Sequence, residues 1–151
     1  MKKVYVGMAA VIEKDNNFLV LRRSEERDFE PGMWETVTGR LEADESPVIG
    51  IQREVEEETG LKVEVQYPLD IGFFYRGGKE FPMVFISFYC KYLEGEVNIT
   101  WEHSEYKWLS LDDAISLPDL HHFHVMFRNL KGMKENLPED FRFDFSTINQ
   151  A

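Results

Sequence analysis

A chain of 151 residues can bury one sizeable core but is short for two, so one domain over 1–151 is expected. Its 43% hydrophobic and 14% aromatic content excludes intrinsic disorder, and the single Cys90 allows neither an internal disulfide nor a four-thiolate zinc site. With 28 acidic residues against 17 basic ones the net charge is −11, which speaks against non-specific binding of nucleic acid or anionic membrane and suits a chain that collects divalent cations.

Val4 to Ile12 is an apolar run behind Met1-Lys2-Lys3. Tyr5 and Gly7 interrupt it, Glu13 ends it and no small-residue cleavage pattern follows, so it reads as a first strand rather than a secretory leader. With Phe18 to Leu21 it flanks the polar cluster Lys14-Asp15-Asn16-Asn17, the pattern of a β-hairpin. Arg22 to Gly32 is charged and closes on Pro31-Gly32, the mark of a surface loop. Trp34 to Thr38 has the β-branched and aromatic content of one short strand. A further β-rich stretch runs from Leu61 to about Trp108, with Gly77-Gly78 separating Ile71 to Arg76 from Phe81 to Tyr92 as a hairpin and Gly95 marking another turn. Ser110 can cap a short helix, and His121 to Lys131 has helical spacing. Val84 to Cys90, the longest other apolar run, falls far short of the ~20 residues of a membrane span. Strands on either side of a central helix, with helices at the end, predict a mixed α/β (α+β) sandwich, and the expected location is cytoplasmic.

Local rules define the central helix. Ser46 is a good N-cap, Pro47 suits the first helical position and Gly60 suits a left-handed C-terminal residue, so the helix is about Pro47 to Thr59. At about 100° per residue Val48, Ile51, Val55 and Thr59 form a buried stripe. Glu54, Glu57 and Glu58 form a second stripe as i, i+3 and i+4 neighbours, while Glu56 points away from both. Arg53, four residues before Glu57, can pair with it. Neighbouring carboxylates repel by a few tenths of a kcal/mol each in an isolated helix, and a bound divalent cation reverses that sign. Taken alone, such an acidic run describes a solvated helix face just as well.

The wider spacing is specific. Gly39, five residues, Glu45, seven residues, then Arg53-Glu54-Val55-Glu56-Glu57-Glu58-Thr59-Gly60-Leu61 resembles the signature box of the Nudix hydrolase family. A chance match in a chain of this length is about one in a million or rarer. The resemblance extends over the N-terminal hairpin, Arg22-Arg23, Trp34, and Glu102 with Tyr106-Lys107-Trp108. Two positions depart from the pattern. Thr38 and Asp44 stand where relatives of this type often carry glycine, and Asp44 is expected to hold a left-handed turn, which Asp tolerates better than most residues. The run from Trp34 to Gly39 looks closer to the bacterial branch that includes dihydroneopterin triphosphate pyrophosphatase than to the oxidised-nucleotide sanitising branch.

The resemblance implies a Nudix-type α/β/α sandwich with a mixed sheet, using Mg²⁺ or Mn²⁺ to hydrolyse a phosphoanhydride in a nucleoside di- or triphosphate or a related diphosphate-linked compound. It implies that Glu54, Glu57, Glu58 and the Thr38 carbonyl hold metal, and that Glu45 supports a second ion or holds the loop. Arg53 then orients a carboxylate, and Gly39 and Gly60 are structural. Glu54 or a later acid, Glu102 in preference to Glu105, serves as general base. Arg23 is a candidate phosphate ligand, with a surface pair to Glu25 or Glu26 as the alternative. Trp34 can stack on a substrate ring or simply pack. Phe73, Phe74 and Tyr75 line either a pocket or the core, and His121, His122 and His124 read as ordinary helix surface. The implied partner is a small phosphorylated molecule, without nucleic acid or membrane, and the chain is a monomer or homodimer. The competing activities are a dinucleoside-polyphosphate hydrolase, an RNA cap-removing enzyme and a non-catalytic nucleotide-sensing domain.

Overall fold

The structure is a computed structural model describing residues 1–146, apart from the side chain of His121. Its first two strands, β1 (Tyr5–Lys14) and β2 (Asn17–Arg23), meet at a tight turn where Asp15 and Asn16 both adopt positive φ, 51° and 62°. These are residue types that accept the left-handed region such a turn requires. β1 and β2 pair only at the turn, Glu13 with Phe18 and Lys14 with Asn17, and then splay apart. The Trp34 to Arg40 segment fills the gap. It is therefore two strands rather than the one expected: β3 (Trp34–Glu35) pairs with β2, and β4 (Val37–Arg40) pairs with β1. The expected loop from Arg22 is also shorter, since β2 carries both arginines and Arg23 is buried.

On its other edge β1 runs parallel to β6 (Pro82–Glu94), which pairs antiparallel with β5 (Lys62–Tyr75). β7 (His103–Leu109) closes the sheet against β2. The result is a seven-stranded mixed sheet with β5 at one edge. Both faces of β1 are covered, which explains its unbroken apolar run. Met8, Ala10 and Ile12 pack under α1 (Pro47–Thr59), while Ala9 and Val11 pack under α3 (His124–Asn136). A short α2 (Leu111–Ile115), capped by Ser110, and a 3-10 turn over His121–Phe123 lead into α3. The predicted α/β/α sandwich is what forms. No helix among the described residues is long and apolar enough to cross a membrane.

The ends of α1 fall where capping places them. Ser46 Oγ accepts from the Ile49 amide at 3.3 Å, and Gly60 takes φ 78° while its N–H donates to the Glu56 carbonyl. Val48, Ile51, Val55 and Thr59 are buried as the helical spacing requires. Asp44 is a correction: it is not among the residues with positive φ, so the turn before the helix needs no left-handed residue there.

Candidate active site

Where β1 and β2 splay, a cleft of about 720 Å³ opens between α1, β4, the 24–33 loop, the far ends of β5 and β6, and the start of α3. The α1 end of this cleft is organised by Arg53. Its Nε and Nη2 donate to the two oxygens of Glu45 at 2.9 and 2.7 Å, a bidentate pair. Nη1 donates to Glu54 at 3.0 Å and Glu57 at 3.1 Å, and Nη2 also reaches the Arg40 carbonyl. Glu45 in turn accepts from the Glu42 amide at 2.9 Å. Hydrogen bonds from Arg53 keep the Glu45 carboxyl below its ordinary range. Glu45 thus holds the loop before the helix, and Arg53 ties that loop to two carboxylates of the acidic stripe.

Gly39 lies directly against this stripe. A Cβ built there would fall 2.1 Å from the Glu54 carboxyl carbon, so the position has room for Glu54 only because it lacks a side chain. Burial raises the pKa of Glu54, against the lowering effect of Arg53.

A second charged group borders the same cleft, with Glu35, Arg23 and His103 buried and Arg27 partly exposed. Glu35 accepts from Arg23 Nη1 at 2.9 Å, from Arg27 Nη1 at 3.4 Å, and makes a 2.8 Å bond with His103 Nε2. Burial works to raise its pKa, but the bonds from His103 and Arg23 outweigh it and the net shift is downward. Arg27 also lies 3.4 Å from Glu102, so one guanidinium bridges the buried acid and the cleft acid.

Glu58 has no such partner. It is 8% exposed, and its Oε2 is buried without a hydrogen bond among the described residues. Burial first, then the charges of Glu35, Glu102 and Glu54, push its pKa up to about 9. A buried carboxylate with no donor is costly in its charged form. Facing three further acids, it is a position that a cation would relieve. Hard divalent cations prefer carboxylate and carbonyl oxygens, and Glu54, Glu58, Glu102 and Thr38 all line the cleft, so this oxygen donor set fits Mg²⁺ or Mn²⁺. Among the described residues no three acids are gathered closely enough to hold an ion as they stand, and Arg53 engages Glu54 and Glu57.

The remaining candidates divide. Arg23 lines the cleft, but its carboxylate partner is Glu35, not the expected Glu25 or Glu26. Glu57 faces solvent on Arg53 outside the cleft lining. Trp34 is 8% exposed and packs in the core beneath α3 with Lys107 over its ring; it does not reach the cleft, which leaves the packing alternative. Glu105 pairs loosely with Arg22 at 3.7 Å on the β7 surface, away from the cleft. Phe73 and Phe74 line the cleft but Tyr75 does not, and His122 lines it instead of lying on plain helix surface. His124 Nε2 donates to the Leu117 carbonyl at 2.9 Å, and the side chain of His121 lies outside the described residues. The sequence reading missed Glu35, Arg27 and His103. A charged residue inside a β-branched, aromatic strand, with arginines on the neighbouring strand and loop, was the signal available for Glu35.

The family description "NUDIX domain" matches residues 1–129. The chain is 34% identical over 104 residues to a "MutT-like protein" of Streptomyces ambofaciens, covering 69% of this chain and 62% of that one. It is 31% identical over 119 residues to an "Octanoyltransferase" of Myxococcus xanthus, covering 76% of this chain but 32% of that protein. It therefore spans less than two thirds of the length of these curated relatives. Among solved structures, a MutT protein from Methanosarcina mazei Go1 superposes with a TM-score of 0.77 at 29% identity, over 89% of this chain and 98% of that one.

Proposed function

The chain belongs to the Nudix family, and from that premise we propose that it hydrolyses a phosphoanhydride bond of a nucleoside triphosphate or a related diphosphate-linked compound with the help of Mg²⁺ or Mn²⁺. The observation that carries this reading is Glu58, a buried and unpartnered carboxylate beside Glu54 and Glu102 in a cleft that also presents arginines. Glu54, Glu58 and the Thr38 carbonyl, which line the cleft, would hold the ion, and Glu57 would join them only on leaving Arg53. A bound divalent cation screens phosphate oxygens, polarises the P–O bond and lowers the pKa of water.

The chain's own groups supply the rest. Arg23 and Arg27 are fixed by Glu35, so their remaining N–H groups meet phosphate oxygens without first losing rotamer freedom. Glu102, reaching the cleft from the residue before β7 and held by Arg27, is the base that takes a proton from the attacking water. Gly39 keeps the Glu54 carboxyl in place and Arg53 sets its direction. Covalent acyl chemistry has little to work with here: Cys90 is fully buried, and no serine, cysteine or lysine lines the cleft among the described residues.

The test is release of phosphate or pyrophosphate from a panel of nucleoside triphosphates and diphosphate-linked nucleosides with Mg²⁺. The wild-type chain should turn over at least one class, and Glu58→Gln should lower kcat by about 100-fold or more with the fold intact by circular dichroism. No hydrolysis of any panel member would end this reading.

A further inference from the structure

We propose that Asp70 selects the ring of the substrate, and that the ring presents two neighbouring N–H donors on one edge, as guanine does. This assignment rests on the nucleotide reading above and concerns the end of the cleft away from α1.

The two ends of the cleft differ in chemistry. The α1 end is carboxylate and guanidinium. At the other end the sheet register sets Gly72 of β5 beside Phe85 of β6, and Phe85 beside Gly7 of β1, in one row across the floor. Both glycines keep that floor low. A Cβ on Gly7 would lie 2.8 Å from Met83 Sδ and from the Phe85 ring, whereas one on Gly72 would meet nothing within 4 Å. The space above Gly72 is thus left open by the protein. Around it Phe29, Phe73 and Phe74 line the cleft while remaining 43%, 58% and 40% exposed. The guanidinium groups of Arg23 and Arg76 lie over the Phe29 ring at 5.6 and 5.9 Å. The aromatic surface that stays exposed gains roughly 25 cal/mol per Å² when an apolar surface covers it, and a flat heterocycle has the shape to do so.

Asp70 stands two residues from Gly72 on the same face of β5. It is half-buried, and among the described residues its carboxylate has no hydrogen bond or ion pair. Its cross-strand neighbour Ser87 does not engage it, the Ser87 hydroxyl being buried and unpartnered. The other acids of the cleft are accounted for: Glu54, Glu58 and Glu102 serve the phosphate end, Glu35 is saturated, and Glu30 has a partner of its own. An ionised carboxylate only accepts, through two oxygens. Its best complement on a flat ring is a pair of adjacent donors, such as N1–H and the 2-amino group of guanine. The uracil edge offers one N–H between two carbonyl oxygens, which a carboxylate repels. Adenine and cytosine each offer one amino donor beside an acceptor nitrogen.

The experiment measures Kd for GDP and UDP by calorimetry with Mg²⁺, and kcat/KM for GTP, ATP, CTP and UTP, in wild type, Asp70→Ala and Asp70→Asn. Wild type should favour guanine over uracil by about 50-fold or more in both measurements, within the discrimination that a donor-specific site achieves. Asp70→Ala should collapse that ratio to within a few-fold at unchanged Tm. Asp70→Asn, whose amide can donate to a carbonyl, should shift preference toward uracil. A ratio that Asp70→Ala leaves unchanged overturns the assignment, as does wild-type preference for uracil or binding of neither nucleotide. Guanine-selective binding that depends on Asp70, without hydrolysis of any triphosphate, would sustain the assignment and remove the proposed activity. Hydrolysis with a base preference indifferent to Asp70 would do the reverse.

Discussion

Glu58 and Glu35 are buried glutamates near one another, yet their environments push them in opposite directions. Glu35 is bonded by His103 and Arg23, and these outweigh its burial, so its pKa falls below the ordinary value. Its contribution to stability is present above pH ~4.5 and fades as pH falls through its lowered pKa. Glu58 has burial and three like charges against it and is raised to about 9. In metal-free protein the folded state keeps the Glu58 proton that the unfolded chain releases near 4.5. Its contribution is therefore complete below that value and is lost as pH rises toward about 9. Glu58→Gln cannot ionise, so in chelator the variant should gain Tm relative to wild type steadily from pH 5 to 9. Thermal denaturation across that range checks the sign, and a constant difference between the two proteins would contradict it. The direction of these shifts was not legible in the sequence. The sequence shows that Glu58 shares a stripe with Glu54, but not that the β1–β2 splay brings Glu35 and Glu102 to the same carboxylate.

The helix α1 was legible almost to the residue, because everything that bounds it is local: Ser46 before it, Pro47 at its first position and Gly60 after it. Its buried stripe followed from periodicity alone. The segment before it was not, because its division into β3 and β4 depends on two strands diverging after their turn, a long-range event that composition does not encode. Asp44 failed as a left-handed residue for a related reason: the turn is held by Glu45, which accepts from the Glu42 amide and from Arg53. Gly39 links the strand to the helix, and its role can be tested on that scale. In Gly39→Ala the new methyl overlaps the Glu54 carboxyl, the far end of a flexible side chain that can swing aside at small cost to the fold. Tm should change by no more than a few degrees while kcat drops by about 100-fold, because a small misplacement of a catalytic group costs that much. Parallel measurement of Tm and of turnover separates this from simple unfolding, which would lower both together.

Across the whole molecule the net charge of −11 and the acid-lined cleft act together. The overall architecture could be expected from the signature spacing and the order of strands and helices. The parallel pairing of β1 with β6 could not, since it joins residues some eighty positions apart without a local turn signal. That pairing puts the glycine floor next to the carboxylate helix and so gives the cleft its two unlike ends. A chain with this balance of charge gains from any cation, but the two possible gains differ in form. General screening depends on ionic strength and acts over about 10 Å at 0.1 M salt. Binding at the cleft saturates, and stabilises the folded state by about 2.7 kcal/mol when the ion is at 100 times its Kd. For a chain of this size that corresponds to a rise in Tm of roughly 5–10 °C. Mg²⁺ or Mn²⁺ should produce such a saturating rise, sodium chloride at matched ionic strength a smaller and unsaturated one, and Glu58→Gln should lose most of the difference between them. Because the ion replaces the proton on Glu58, calorimetry in buffers of different ionisation enthalpy should also register proton release on binding at pH 7 in wild type but not in Glu58→Gln. Equal rises with either salt would assign the effect to the charge of the whole surface rather than to the cleft.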